Sequence, residues 1–316
     1  RPPPSALRPP PSALRPPPPR PRSQRGARST RVDRQLMDVR VPMVRILGVQ
    51  HVHISVCDRL AIWNSRLVAS YLAVDDRARE LCLFIKGWAK RRSLCVASQH
   101  TLSSYAWVLL AIHHLQNCQP PVVPVLQQPP MLPSTATRRW VRAADGNPID
   151  CSYASHEEPG FAHCLRQALA EPTFEAGFGK AGAFGLAQGG GMGPPAGASA
   201  VNNSVTLGEL IHGFFVRYER EFRLALDAHR ANPAVRNNRI VSVRTGSVRY
   251  GLLGSGGGSP SLLPIEDPFE VGRDLGEMIT PQTLSGMHTE LMHTAETITK
   301  AMAAGGDSWS RTTDWM

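Results

Sequence analysis

Lys86 and Lys90 stand four residues apart, a spacing that sets both ammonium groups on one face of a helix, roughly opposite an apolar stripe of Ile85, Trp88 and Ala89. Like charges one turn apart repel unless an anion lies between them, and a polyphosphate held by point charges is the natural one. A solvated cationic face is the alternative. TLSSYAW (101–107) offers hydroxyls, Ser104 among them, where a helix should begin. Free backbone N–H groups and the helix dipole favour phosphate there, and the Tyr105 ring could stack on a base or belong to the core. IEDPFE (265–270) gathers Glu266, Asp267 and Glu270 around a Pro-Phe turn. Those carboxylates could accept base N–H groups, bind a metal, or keep a loop soluble. In VQHVHIS (49–55) the end of an apolar, alternating segment (Val41, Met43, Val44, Ile46) carries His51 and His53, with no acid until Asp58. A strand end passing into a helix is a common seat for a catalytic carboxylate, and here that seat holds imidazole.

The elements that position these residues are largely periodic. Leu60, Trp63, Leu67, Tyr71 and Val74 recur at helical steps, and so do Ala78, Leu81, Cys82, Ile85, Trp88 and Ala89 behind the acidic cap Asp75–Asp76. A third helix is predicted over about Ser103–Gln116, with one of His113 and His114 inward and the other at the surface. Thr206-Leu-Gly-Glu209 reads as a capping box opening a helix that carries Leu210, Ile211, Phe214, Phe215, Tyr218 and Phe222. Arg239–Arg244 reads as a strand. Thr283–Met302 reads as a last helix with Leu284, Leu291, Ala295, Ile298 and Met302 inward. GSGGGSPS, from residue 254, is a flexible loop. GFGKAG (177–182) spells a glycine fingerprint, but no strand precedes it and no helix follows, so it is filler.

Of the 316 residues, 35 are Lys or Arg and 25 Asp or Glu. Eight of the arginines fall within the first 31 residues, so the remainder carries 27 basic against 25 acidic residues. Net charge is therefore weak evidence for a polyanionic partner. The RPPPSAL repeat at 1–7 and 8–14 forbids helix and sheet and leaves polyproline II or disorder; residues 1–22 could dock a partner that reads Pro-rich motifs. Six cysteines (57, 82, 95, 118, 151, 164) show no CxxC pair and no short Cys/His quartet, which argues against zinc and disulfide frameworks and fits a reducing compartment. The longest apolar run, Tyr105–Ile112, is far below the roughly 20 residues of a membrane span. The expectation is a soluble intracellular protein with no membrane partner, cytoplasmic or mitochondrial being left open.

Taken in order, these segments resemble the terminal RNA nucleotidyltransferases: the terminal uridylyltransferases and related poly(A) polymerases of the DNA polymerase β superfamily. RVPMVRI (40–46) and the run from HIS (53–55) to KRR (90–92) resemble the end of that family's palm and its first helices. TLSSYAWVLLAIHHLQ (101–116) resembles its next signature. SVTLGELIHGFFVRYEREF (204–222), RIVSVRTG (239–246) and IEDPFEVGRDLG (265–276) resemble its poly(A)-polymerase-associated segment. The implied fold is α+β, a truncated palm sheet plus a mainly helical central domain. Its implied divisions are a Pro/Arg-rich disordered tail (1–34), a palm remnant (35–57), a first helical part (58–133), an irregular Gly-rich insertion (134–203), and the poly(A)-polymerase-associated segment with a last helix (204–316).

The resemblance implies roles position by position. Asn64 and Ser65 match contacts to the ribose and phosphates of a bound nucleotide, Lys86 and Lys90 the two triphosphate lysines, and Ser104 a phosphate-contacting hydroxyl. Tyr105 matches the ring under the base, and Asp267 and Glu270 the carboxylates at its edge. Arg273 stands where some members carry a base-selecting histidine and Asp274 where they often carry Asn, which leaves UTP and ATP both open. The implied activity adds UMP or AMP to an RNA 3′ end. Its chemistry is two-metal phosphoryl transfer, with aspartates holding Mg²⁺ (or Mn²⁺). Here His53 occupies the third aspartate's position and the Pro-rich repeat stands where Gly-Ser and DxD belong, while His100 replaces a usual glycine before TLSSY. Imidazole suits Zn²⁺ or Cu²⁺ better than Mg²⁺, and Asp58 belongs to the next helix start. The expectation is a fragment of such an enzyme lacking the catalytic aspartates as written. A catalytically inactive nucleotide- or RNA-binding scaffold is the alternative.

Overall fold

A computed structural model describes residues 31–33, 43–47, 52–55, 59–96, 99–132, 136–142, 146–170, 204–232, 237–251, 253 and 261–304. The chain divides into two units, Arg1–Cys57 and Asp58–Met316. In the first, β1 (Arg31–Asp33), β2 (Met43–Leu47) and β3 (Val52–Ser55) form an antiparallel sheet in the order β1-β2-β3. The register sets Val32 against Ile46 and Arg45 against His53. Three residues assigned by sequence to the disordered tail are thus a strand; pairing with β2 supplies the backbone partners that the preceding prolines would deny. The RPPPSAL repeats, His51 and Asp58 lie outside the described residues, as do GFGKAG and residues 254–260 of GSGGGSPS.

The second unit is built on helices. Helix α1 (Arg59–Leu72) leads into α2 (Asp76–Arg91) and α3 (Ser104–Gln116). Asp75 caps α2 by accepting from the Arg77 N–H, and Asp76 in the first turn with Lys90 and Arg91 in the last complement the dipole. The helix stops in a Schellman turn. Ser93 takes φ +56°, its N–H reaches the Lys90 carbonyl, and the Leu94 N–H reaches that of Ala89 at 2.8 Å. Helix α3 is buried nearly all round, from Ala106 to Gln116 apart from Val108. Both His113 and His114 are therefore inside, not one in and one out. Burial beside the Arg217 charge pushes each down to about 3, so both are neutral, and the Tyr218 hydroxyl meets His113 Nδ1 at 3.0 Å while donating to the Leu110 carbonyl.

Against this pack α5 (Leu207–Ala231) and α6 (Pro281–Ala303), opened by capping boxes at Thr206 and Thr280. Trp88 meets Trp107 and Phe215 edge-on at 5.4 and 4.9 Å, and Trp107 stacks on Phe222. The indole N–H groups are satisfied by Thr294 Oγ1 and the Leu94 carbonyl, so these large rings are buried without an orphaned donor. Along α6, Leu284, Leu291, Ala295 and Ile298 point inward as their spacing predicts, but Met302 is 39% exposed because it lies in the final turn, past the packed stretch.

The segment read as an irregular insertion holds regular structure: a hairpin of β4 (Trp140–Arg142) and β5 (Pro148–Asp150), then α4 (Phe161–Ala170). Strands of three residues are too short to leave a period, which is why the sequence hid them. Cys151, Tyr153 and Ala154 after β5 join the core. A second hairpin, β6 (Arg239–Ser242) and β7 (Ser247–Tyr250), carries the 261–276 loop through a parallel bridge from Val241 to Ile265. That loop packs so closely that a Cβ on Gly276 would collide with the Leu263 carbonyl oxygen. Among the described residues no helix is long and apolar enough to cross a membrane.

Candidate functional site

The 265–274 loop is folded by its own carboxylates. Asp267 is fully buried; one oxygen accepts the N–H groups of Phe269 and Glu270 at 3.0 and 3.1 Å, and the other lies 3.4 Å from Arg273. The same guanidinium nitrogen donates to Glu270 at 2.7 Å. Burial is the largest influence on Asp267 and pushes its carboxyl up, opposed by those N–H groups and Arg273 and reinforced by the Glu270 charge. From outside the loop, Gln127 and Arg244 donate to the Pro268 carbonyl at 2.9 and 3.2 Å. Sequence reading did not single out either residue; the only signal was a polar pair in an otherwise apolar VLQQPP.

Tyr105, in the first turn of α3, faces this cluster. Its hydroxyl is buried and has no hydrogen-bond partner. Burial first, then the charges of Asp267 and Glu270, raise its pKa, and Arg273 opposes them. The phenol is thus held neutral beside two acids and a guanidinium. Such a pocket edge, with an aromatic ring, carboxylate acceptors and an Arg donor, suits a planar ligand carrying N–H and C=O groups.

Of the remaining acids in the loop, neither joins the site. Glu266 is turned inward, where Ser242 donates to it at 2.6 Å and Arg249 pairs with it. Asp274 accepts from the Ile265 and Gly276 N–H groups and closes the loop on itself, and burial pushes its carboxyl up.

The candidate phosphate-side residues occupy three helices. Lys86 and Lys90 are both exposed on α2 and have no ion pair among the described residues. At about 100° per residue the pair is turned roughly 125° from the middle of the Ile85, Trp88 and Ala89 stripe, nearer the far side of the helix than the buried one. Ser103, not Ser104, caps α3 by accepting from the Ala106 N–H at 3.1 Å. Ser104 is half-buried one residue on. On α1 the Asn64 side-chain oxygen is buried without a hydrogen-bond partner, whereas exposed Ser65 donates back to the Ala61 carbonyl at 2.8 Å. His100 has φ +60°, the left-handed region in which glycine is at ease. Its carbonyl accepts from Thr283 at 2.7 Å and its Nδ1 lies 3.1 Å from the Met278 carbonyl. Backbone pairing places His53 on β3 opposite Arg45. Among the described residues, no three or more His, Cys, Asp or Glu side chains gather as metal ligands would.

No family model matches the chain. It is 39% identical to human terminal uridylyltransferase 7 over 92 residues, 28% of this chain and 6% of that protein. With the poly(A) RNA polymerase cid13 of Schizosaccharomyces pombe it shares 28% identity over 228 residues, 72% of this chain and 30% of that one. It thus spans under a third of either relative. Among solved structures, a cytoplasmic RNA terminal U-transferase superposes with a TM-score of 0.53 at 23% identity, over 85% of this chain and 67% of that chain. For mtPAP in complex with UTP the values are 0.57, 18%, 86% and 45%. At these identities the structural likeness speaks for the fold.

Proposed function

We propose that the chain is a member of the terminal RNA nucleotidyltransferase family, as its likeness to terminal uridylyltransferase 7 and cid13 supports, and that its second unit holds a ribonucleoside triphosphate, UTP or ATP, for addition to an RNA 3′ end. Lys86 and Lys90 carry the triphosphate as a pair of point charges. Ser104 and the N-terminus of α3 add a hydroxyl and backbone donors, and Asn64 and Ser65 reach the ribose and phosphates. The base lies on the Tyr105 ring, with Asp267 and Glu270 accepting its N–H groups and Arg273 at its edge. The observation that carries this reading is the convergence of Tyr105 with Asp267, Glu270 and Arg273 from separate parts of the chain.

Members of this family generally use divalent metal ions, and the donors among the described residues do not fit a Mg²⁺ pair. His53 offers imidazole where a carboxylate is wanted. Asp267 and Glu270 share a guanidinium that already supplies the positive charge between them. His53 favours a second reading, in which the chain binds nucleotide and RNA without catalysing transfer. Extension of an RNA 3′ end by this chain with Mg²⁺ would exclude that reading.

Calorimetric titration with UTP and with ATP tests the pocket. Exposed charge-assisted contacts of about 1 kcal/mol each lead us to expect Lys86→Ala with Lys90→Ala to weaken binding roughly tenfold or more. Unchanged affinity would overturn the phosphate assignment.

A further inference from the structure

Strand β4 alternates exposed, buried, exposed through Trp140, Val141 and Arg142. Val141 joins the core, while Trp140 is 62% exposed, far outside the range of a packing residue. Arg138 continues the same alternation, its side chain 40% exposed, so that an arginine stands two residues to either side of Trp140, about 7 Å along the strand. Across the hairpin Asp150 stands opposite Trp140 and pairs with Arg138 at 3.6 Å, and Pro148 stands opposite Arg142. Helix α1 has no acidic residue and exposes Arg59 and Arg66. Trp63 ties the two elements together: the guanidinium groups of Arg66 and Arg139 lie 5.3 and 5.8 Å from its ring.

This hairpin also adjoins the loop of the candidate pocket. The buried stretch after β5 runs through Tyr153, whose ring lies 6.4 Å from Trp63 and 6.1 Å from Phe269 in the 265–274 loop.

We infer that the exposed face of β4 is a stacking platform for single-stranded RNA. An exposed aromatic ring between cationic side chains is the combination that holds unpaired bases by their π-faces and their phosphates by charge. A protein partner of ordinary apolar character would not call for arginines on both sides of the indole. The platform rests on the reading that this chain handles RNA and adds to it the surface that holds the strand beside the nucleotide.

Fluorescence anisotropy of a labelled oligouridylate with the 316-residue chain tests it, alongside UTP calorimetry on the same samples. Trp140→Ala is expected to weaken oligouridylate binding about tenfold, and Trp140→Phe to stay within about threefold of wild type because a ring remains. Arg138→Ala with Arg142→Ala should lower the slope of log affinity against log salt by about 1. All of these variants should bind UTP as wild type does. Wild-type oligouridylate affinity in Trp140→Ala, with UTP still bound, would overturn the platform and leave the nucleotide pocket standing. A wild-type chain that binds neither ligand would overturn both.

Discussion

Arg273→Ala isolates the electrostatics of the pocket. In the folded chain Asp267 is fully buried, and Arg273 is its cationic neighbour at 3.4 Å. Removing one partner of a buried pair costs about 3–5 kcal/mol when the stranded charge has no other support. Here the Phe269 and Glu270 N–H groups stay in place at 3.0 and 3.1 Å, and the lost guanidinium is 39% exposed and so partly screened. We therefore expect a loss of about 1–2 kcal/mol at neutral pH. The loss should depend on pH with a definite sign. Asp267 titrates above its unfolded value of 3.8 in the folded state, so its ionisation opposes folding as pH rises through that window. Without Arg273 the carboxyl is pushed higher still, and the extra cost is present at neutral pH but absent once Asp267 is protonated in the folded form of both proteins. Urea denaturation of wild type and variant should show the difference at about pH 7 and its steady shrinking as the pH is lowered through the titration of Asp267. A deficit independent of pH would refute the reasoning, since lost packing alone would behave that way.

Ser93→Gly should stabilise the chain by about 0.5–1 kcal/mol in the same assay, because a side chain at φ +56° in the turn ending α2 is strained; a destabilised variant would count against the Schellman turn. His113 and His114, held down to about 3, stay neutral in the folded state while the unfolded chain protonates near its ordinary value. Stability should thus fall as pH drops below about 6.5, with an uptake approaching two protons on unfolding. A flat profile between about pH 6.5 and pH 5 would mean that these imidazoles are not buried.

Helices α2, α5 and α6 were legible in the sequence because each buries one stripe, and caps at Asp75 and Thr206 announced themselves by residue type. Helix α3 misled at His113 and His114 because it is enclosed on nearly every side, so its burial follows no stripe. The β4–β5 hairpin was hidden by its brevity. At the site, Lys86 and Lys90 could be paired by spacing alone. The approach of Tyr105 to Asp267 could not, since it depends on how α3 packs against a loop far along the chain; only resemblance to a family suggested it. The inward turn of Glu266 was equally unreadable, because its partners Ser242 and Arg249 belong to a hairpin that precedes it.

The central claim is that a nucleotide base lies on Tyr105 beside Asp267 and Glu270. Photocrosslinking with 4-thio-UTP and with 8-azido-ATP, followed by peptide mapping, tests it most directly. The account predicts adducts on the peptides spanning 101–116 or 265–276 that are competed by the unmodified nucleotide and reduced in Tyr105→Ala. Competed adducts that map elsewhere in the chain, unaffected by Tyr105→Ala, would contradict it.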